Sequence, residues 1–91
     1  FSTYPFALRD VAVWTPAGTS SETVQGIVKT SAGELLNRID LFDTFEKEGK
    51  VSYAYRLVLQ ANDRTLSEND LNKVMDAISN ALKANAGFEV R

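Results

Sequence analysis

Asp43 and Phe45 stand two apart, with Leu41 two before them, so an extended chain would carry one carboxylate between two apolar side chains on one face. A charged turn, Lys47-Glu48-Gly49-Lys50, follows, and beyond it Ser52 and Ala54 fall where a hairpin would bring them alongside. The product is a small platform suited to a flat heterocycle. An aromatic ring stacks on any nucleobase, a contact worth about 1–3 kcal/mol per base, and stacking alone selects none. A carboxylate fixed beside the ring adds selection. Guanine offers two adjacent donors, its ring N–H and its exocyclic amine, which a two-oxygen acceptor can take together. The same residues have a structural reading, with Phe45 packed at a sheet edge and Asp43 capping a turn. The pattern alone leaves both open.

The surrounding elements are legible from periodicity. Asp10 to Thr15 alternates as a half-buried strand, with Val11 and Val13 on one face and Asp10, Ala12 and Trp14 on the other; Pro16-Ala17-Gly18 ends it. Thr19 with Glu22 forms a capping-box pattern, and Val24, Ile27 and Val28 recur at helical spacing, predicting a helix from Ser20 to about Gly33 that Gly26 weakens. Leu35 to Glu46 reads as a long strand and Val51 to Ala61 as its hairpin partner. In that partner Tyr53, Tyr55, Leu57 and Leu59 share a face expected to be core, while Ser52, Ala54, Arg56 and Val58 share the other. Asn62-Asp63-Arg64 is a loop. Ser67 with Asp70 caps a second helix whose Leu71, Val74, Met75, Ile78 and Leu82 form an apolar stripe closing at Gly87, and Phe88 and Val90 begin a short last strand.

The order β-α-β-β-α-β predicts an α+β, ferredoxin-like fold: an antiparallel sheet with two helices on one face. Its other face would present Ala12, Trp14, Asp43, Phe45, Ser52, Ala54 and Arg56, and function is expected there.

Composition narrows the chemistry. The chain's 91 residues suit one domain, residues 1–91, and the start at Phe1 predicts a piece of a longer protein. A formal charge of −2 gives no broad attraction to nucleic acid, so any RNA contact must be local. Cysteine and histidine are absent, which excludes disulfides, thiolate nucleophiles and the commonest metal ligands and general bases. The acidic residues lack metal-site spacing, so no metal site and no catalytic residue is expected; Ser52 has no base to activate it. Acylphosphatase chemistry on this fold would need a phosphate-cradling loop with an arginine after the first strand, and Thr15-Pro16-Ala17-Gly18-Thr19 contains none. No membrane span or signal sequence is apparent, which predicts a cytoplasmic setting.

Five strings in order, Pro5-Phe6-Ala7-Leu8-Arg9-Asp10-Val11-Ala12, Leu41-Phe42-Asp43-Thr44-Phe45, Ser52-Tyr53-Ala54-Tyr55-Arg56-Leu57, Arg64-Thr65-Leu66-Ser67 and Gly87-Phe88-Glu89-Val90-Arg91, resemble the ferredoxin-fold anticodon-binding domain of the phenylalanyl-tRNA synthetase β subunit. The resemblance implies a binder of the tRNA(Phe) anticodon, whose first base is guanine, with Ala12, Asp43, Phe45 and Ser52 at the positions lining that base. Phe45 departs from the tyrosine often found in the family; stacking survives, and a phenolic hydrogen bond is lost. The resemblance also implies Arg9, Arg56 and Arg64 as candidates for RNA backbone contacts. It implies a parent α2β2 enzyme using ATP and Mg2+ for aminoacylation elsewhere, with the remainder of the β chain and the α chain as partners and neither DNA nor a membrane involved. A single-chain organellar parent carrying the same domain is a further form of it. Arg9 has an equal alternative as a local ion partner of Asp10, and Trp14 has three readings, stacking on a nucleotide, covering the open sheet face or docking another domain, of which docking is preferred because large exposed aromatics usually mark interfaces. The rival function is a ferredoxin-like protein-interaction or small-molecule-sensing module dimerising through its open sheet face, motivated by Trp14, Leu41 and Val58.

Overall fold

A computed structural model describes residues 5–61 and 63–90. They form β1 (Ala7–Pro16), α1 (Ser21–Ala32), a 3-10 turn (Gly33–Leu35), β2 (Leu36–Lys47), β3 (Lys50–Leu59), α2 (Glu68–Lys83) and β4 (Glu89–Val90). Asn62 of the expected loop and Arg91 of the expected last strand lie outside the described residues. The sheet order is β2-β3-β1-β4, with antiparallel pairing throughout, as the ferredoxin-like reading requires.

The core lies between one face of this sheet and the two helices. Val11 and Val13 of β1 and Tyr55, Leu57 and Leu59 of β3 meet Val24, Val28 and Ala32 of α1 and Leu71, Val74, Ile78 and Leu82 of α2. Met75, the remaining residue of the α2 stripe, packs partly buried against them. Period-2 burial on the strands and 3.6-period burial on the helices converge on one apolar layer, which is the main stabilising element of the fold. Thr15 intrudes a hydroxyl into this layer and satisfies it by donating to the Val51 carbonyl at 2.9 Å.

Local chemistry sets the element ends. Ser20, not Thr19, is the α1 N-cap: its backbone is extended and its Oγ accepts the Thr23 N–H at 3.2 Å. The Thr19 carbonyl instead accepts the Tyr53 phenol at 2.6 Å, which holds Thr19 against the sheet. The Ser67/Asp70 capping box on α2 forms in both directions, as its spacing predicted. That helix stops at Lys83, before Gly87, because the Asn85 side chain turns back to the Ala81 carbonyl and the chain reverses at Gly87, φ +82°. Only glycine suits Gly87, since a Cβ there would lie 2.6 Å from Pro16 Cγ. In the β2–β3 hairpin, Glu48 and Gly49 both have positive φ, +50° and +77°, the two-residue turn that matches strand twist and pairs Lys47 with Lys50.

Two tyrosines of β3 tie α1 to the sheet, Tyr53 through Thr19 and Tyr55 through the Ser21 carbonyl at 2.6 Å. Burial pushes the Tyr55 phenol up to about 12, reinforced by the neighbouring Tyr53 and Glu22. The phenol's folded pKa therefore exceeds its unfolded value near 10. Below pH 10 both states hold the proton and stability is flat in this group. Between pH 10 and about 12 the unfolded chain loses the proton first, so stability falls as pH rises, by at most about 1.4 kcal/mol per pH unit. Denaturant titrations across this window are expected to show a steeper alkaline loss for the native chain than for Tyr55→Phe. Equal slopes would place Tyr55 in water.

Candidate nucleic-acid interface

The sheet face away from the helices is built in cross-strand rows. Register places Trp14, Ser52 and Phe45 in one row and Ala12, Ala54 and Asp43 in the next; Asp10, Arg56 and Asp40 form a third. Ala12, Asp43, Phe45 and Ser52, which sequence reasoning assigned to one platform, are thus brought to two neighbouring rows.

Phe45 is 52 % exposed and meets Trp14 edge to face, ring centroids 5.9 Å apart and planes at 75°. The pair flanks Ser52, which lies between them in register and is only 2 % exposed. Here the structure departs from the expectation of an accessible hydroxyl: Ser52 is floor beneath the ring pair, and a base reaches it only if a ring swings aside. Asp43 is exposed and makes no hydrogen bond or ion pair within the described residues, leaving both oxygens open to a ligand. Small Ala12 and Ala54 beside it keep the surface flat enough for a ring.

A β-bulge between Leu41 and Asp43 corrects the expected face pattern. Leu41 pairs with Tyr55, a helix-facing position, and so leaves the platform, while the extra residue Phe42 lies on the open face under Arg56. The same shift removes Leu41 from the apolar surface on which the dimer reading drew.

The arginines separate. Arg56 stands on the open face and bonds Asp10 through Nε at 3.0 Å and Nη2 at 3.3 Å. This pair holds the Asp10 carboxyl below the usual carboxylate range and raises the Arg56 guanidinium further. Asp10 thus belongs to Arg56, and Arg9 instead lies 3.6 Å from Glu68 at the start of α2. Arg64 pairs with Asp63 and Asp70, in the segment before the same helix. Register opposite Leu57 puts Arg9 on the helix side, so neither Arg9 nor Arg64 converges on the platform.

Two cations that sequence reasoning treated only as part of a charged turn do converge. Lys47 and Lys50 oppose each other across the hairpin, in phase with Phe45 and Ser52, and join Trp14, Glu48 and Glu89 around a concavity of about 200 Å³. Neither has an ion-pair partner among the described residues, and like charges directly opposed are unfavourable until an anion arrives. The signal was present in the sequence: a two-residue turn fixes Lys47 opposite Lys50 and puts both on the platform's face. No group of three His, Cys, Asp or Glu able to hold a metal occurs among the described residues, and no helix among them is long and apolar enough to cross a membrane.

A two-helix ferredoxin-like fold whose open sheet face carries an exposed ring, a carboxylate and two lysines, none of these charges paired among the described residues, defines a class of binding module. The model of the ferredoxin-fold anticodon binding domain family matches residues 2–91, and the chain belongs to that family. It is 40% identical over 92 residues to the phenylalanine–tRNA ligase beta subunit of Moorella thermoacetica, covering 97% of this chain and 12% of the relative. It is 38% identical to the corresponding subunit of Thermobifida fusca, over 99% of this chain and 11% of that protein. The mitochondrial phenylalanine–tRNA ligase of Rattus norvegicus is 34% identical over all of this chain and 20% of its own length. The chain therefore spans between about a tenth and a fifth of the relatives it matches.

Proposed function

We propose that the chain is the tRNA anticodon-binding module of a phenylalanine–tRNA ligase β chain, and that it reads the guanine at the first anticodon position of tRNA(Phe). The observation that carries this reading is the exposed Asp43 carboxylate, which has no hydrogen-bond or ion-pair partner among the described residues, beside the exposed Phe45 ring on the face away from both helices. Phe45 and the Ala12 floor sandwich or support the base, Asp43 takes its ring N–H and amine, and Ser52 holds the ring pair from below. Lys47 and Lys50 draw the flanking phosphates, a role that the placement of Arg9 and Arg64 does not suit. The module is a non-catalytic part of a cytoplasmic enzyme. ATP and Mg2+ act in other parts of that enzyme, alongside the remaining β chain and the α chain of an α2β2 assembly. With a net charge of −2, the chain alone binds weakly and the rest of the enzyme adds most of the affinity.

Titrating the chain with a tRNA(Phe) anticodon stem-loop at several salt concentrations tests this. Lys47→Ala with Lys50→Ala is expected to weaken binding and reduce the salt slope by about 1.4, the value for two lost single-strand phosphate contacts, whereas Arg9→Ala leaves the slope unchanged. An unchanged slope in the double variant, or equal binding of an unrelated stem-loop, contradicts the reading. So does a stable dimer in light scattering that covers Phe42 and Phe45.

A further inference from the structure

Phe42 is 53 % exposed, in a strand whose pattern would ordinarily turn it toward the helices. It reaches the open face only because it is the extra residue of the β2 bulge. There its ring lies 5.2 Å from the Arg56 guanidinium carbon, and Arg56 is itself fixed by its two bonds to Asp10. A half-exposed aromatic ring and an immobilised guanidinium plane are the two side-chain surfaces on which unstacked bases settle. Phe45 lies three residue steps beyond Phe42, about 10 Å or less along the strand, with Asp43 between them.

We infer that Phe42 and Arg56 form a second stacking site, which takes the base of the nucleotide adjacent to the guanine held by Asp43 and Phe45. The inference rests on the RNA reading above. Bases stacked on each other stand about 3.4 Å apart, so two bases occupying sites at this spacing are splayed, the arrangement in which single-stranded loops are recognised. Arg56 commits Nε and Nη2 to Asp10, which leaves its plane for stacking more than its edge for reading. The second site therefore accepts any base through its π-face and favours the larger purines. The bulge is the device that creates it: without the extra residue, Phe42 and Phe45 would point to opposite faces.

The test uses anticodon-type hairpins with guanine first and either adenine or an abasic sugar second, bound to the native chain, Phe42→Ala and Phe42→Tyr. For the native chain and Phe42→Tyr, loss of the second base is expected to weaken binding between about fivefold and 150-fold. Phe42→Ala is expected to show that loss already with adenine present, and no further loss with the abasic loop. Its thermal midpoint should match the native chain's, since the ring is half in solvent. Native-like binding by Phe42→Ala, or an abasic penalty of the same size with and without the ring, overturns the inference. Changing the first base to adenine separates the two readings. If guanine preference is missing from the native chain while the second-base effect depends on Phe42, the guanine assignment fails and the stacking site stands. If no hairpin binds, both fall.

Discussion

Asp43→Ala is expected to abolish discrimination between guanine and adenine at the first anticodon position. A bidentate acceptor on two base donors is worth about 1–3 kcal/mol of selectivity, so the native chain should prefer guanine between about fivefold and 150-fold. Because Asp43 is exposed and water competes for its oxygens, the lower half of that range is expected. The variant should bind both loops nearly equally. Removing an anion from a surface that meets phosphates also tends to raise affinity for the adenine loop, so part of the lost preference comes from better binding of the wrong base. Asp43→Asn sharpens the point: its amide keeps one acceptor and adds a donor, so it should retain less than half of the preference in free-energy terms. Competition titrations with the two loops measure the ratio directly. A ratio that survives in Asp43→Ala would assign guanine selection to another residue.

The second large effect concerns the sheet beneath the platform. Leu57→Ala removes a fully buried side chain from the strand paired on both sides, where it is packed between β1, β2 and the helices. Such truncations cost about 2–5 kcal/mol, set by the lost transfer energy and the cavity left behind. A domain of this size is stable by about 5–14 kcal/mol, so the change removes a large fraction of the total and should lower the thermal midpoint by about 10–30 °C. Val58→Ala, one residue on and facing the open side, is expected to cost under about 1.5 kcal/mol. Urea unfolding of the pair checks the assignment of faces. Comparable losses at the two positions would mean that the core does not lie on the side described.

The fold could be read from the sequence because local patterns agreed with one another. The Tyr53-Tyr55-Leu57-Leu59 alternation and the α2 stripe pointed to the same layer, where the structure places both, and the Ser67/Asp70 box marked the exposed start of α2. Of the platform, Asp43 and Phe45 were assigned to the open face correctly, while Leu41 was not. A bulge depends on how β2 registers against β3, and nothing local in Leu41-Phe42-Asp43 reveals the extra residue. The Arg9–Asp10 pair offered as an alternative does not form, for a related reason. Arg9 adjoins Asp10 in sequence, but adjacent strand residues point to opposite faces, so Asp10 meets Arg56 across the sheet and Arg9 meets the start of α2. Ser52 was placed on the right face, and its burial arises from the Trp14–Phe45 ring contact, which no single strand predicts. Thr19 lost the α1 cap to Ser20 because its carbonyl is held by Tyr53, again a contact made only by the folded sheet.

The central claim is that the open face reads guanine through Asp43. An NMR titration of the labelled chain tests it most directly, with an anticodon stem-loop carrying guanine-adenine-adenine set beside one whose first base is adenine. The account predicts shifts centred on Ala12, Asp43 and Phe45, extending to the Ser52 amide beneath the rings, that weaken with the changed loop and lose that difference in Asp43→Ala. Shifts on the helix face, or equal shifts on the platform from both loops, would contradict it.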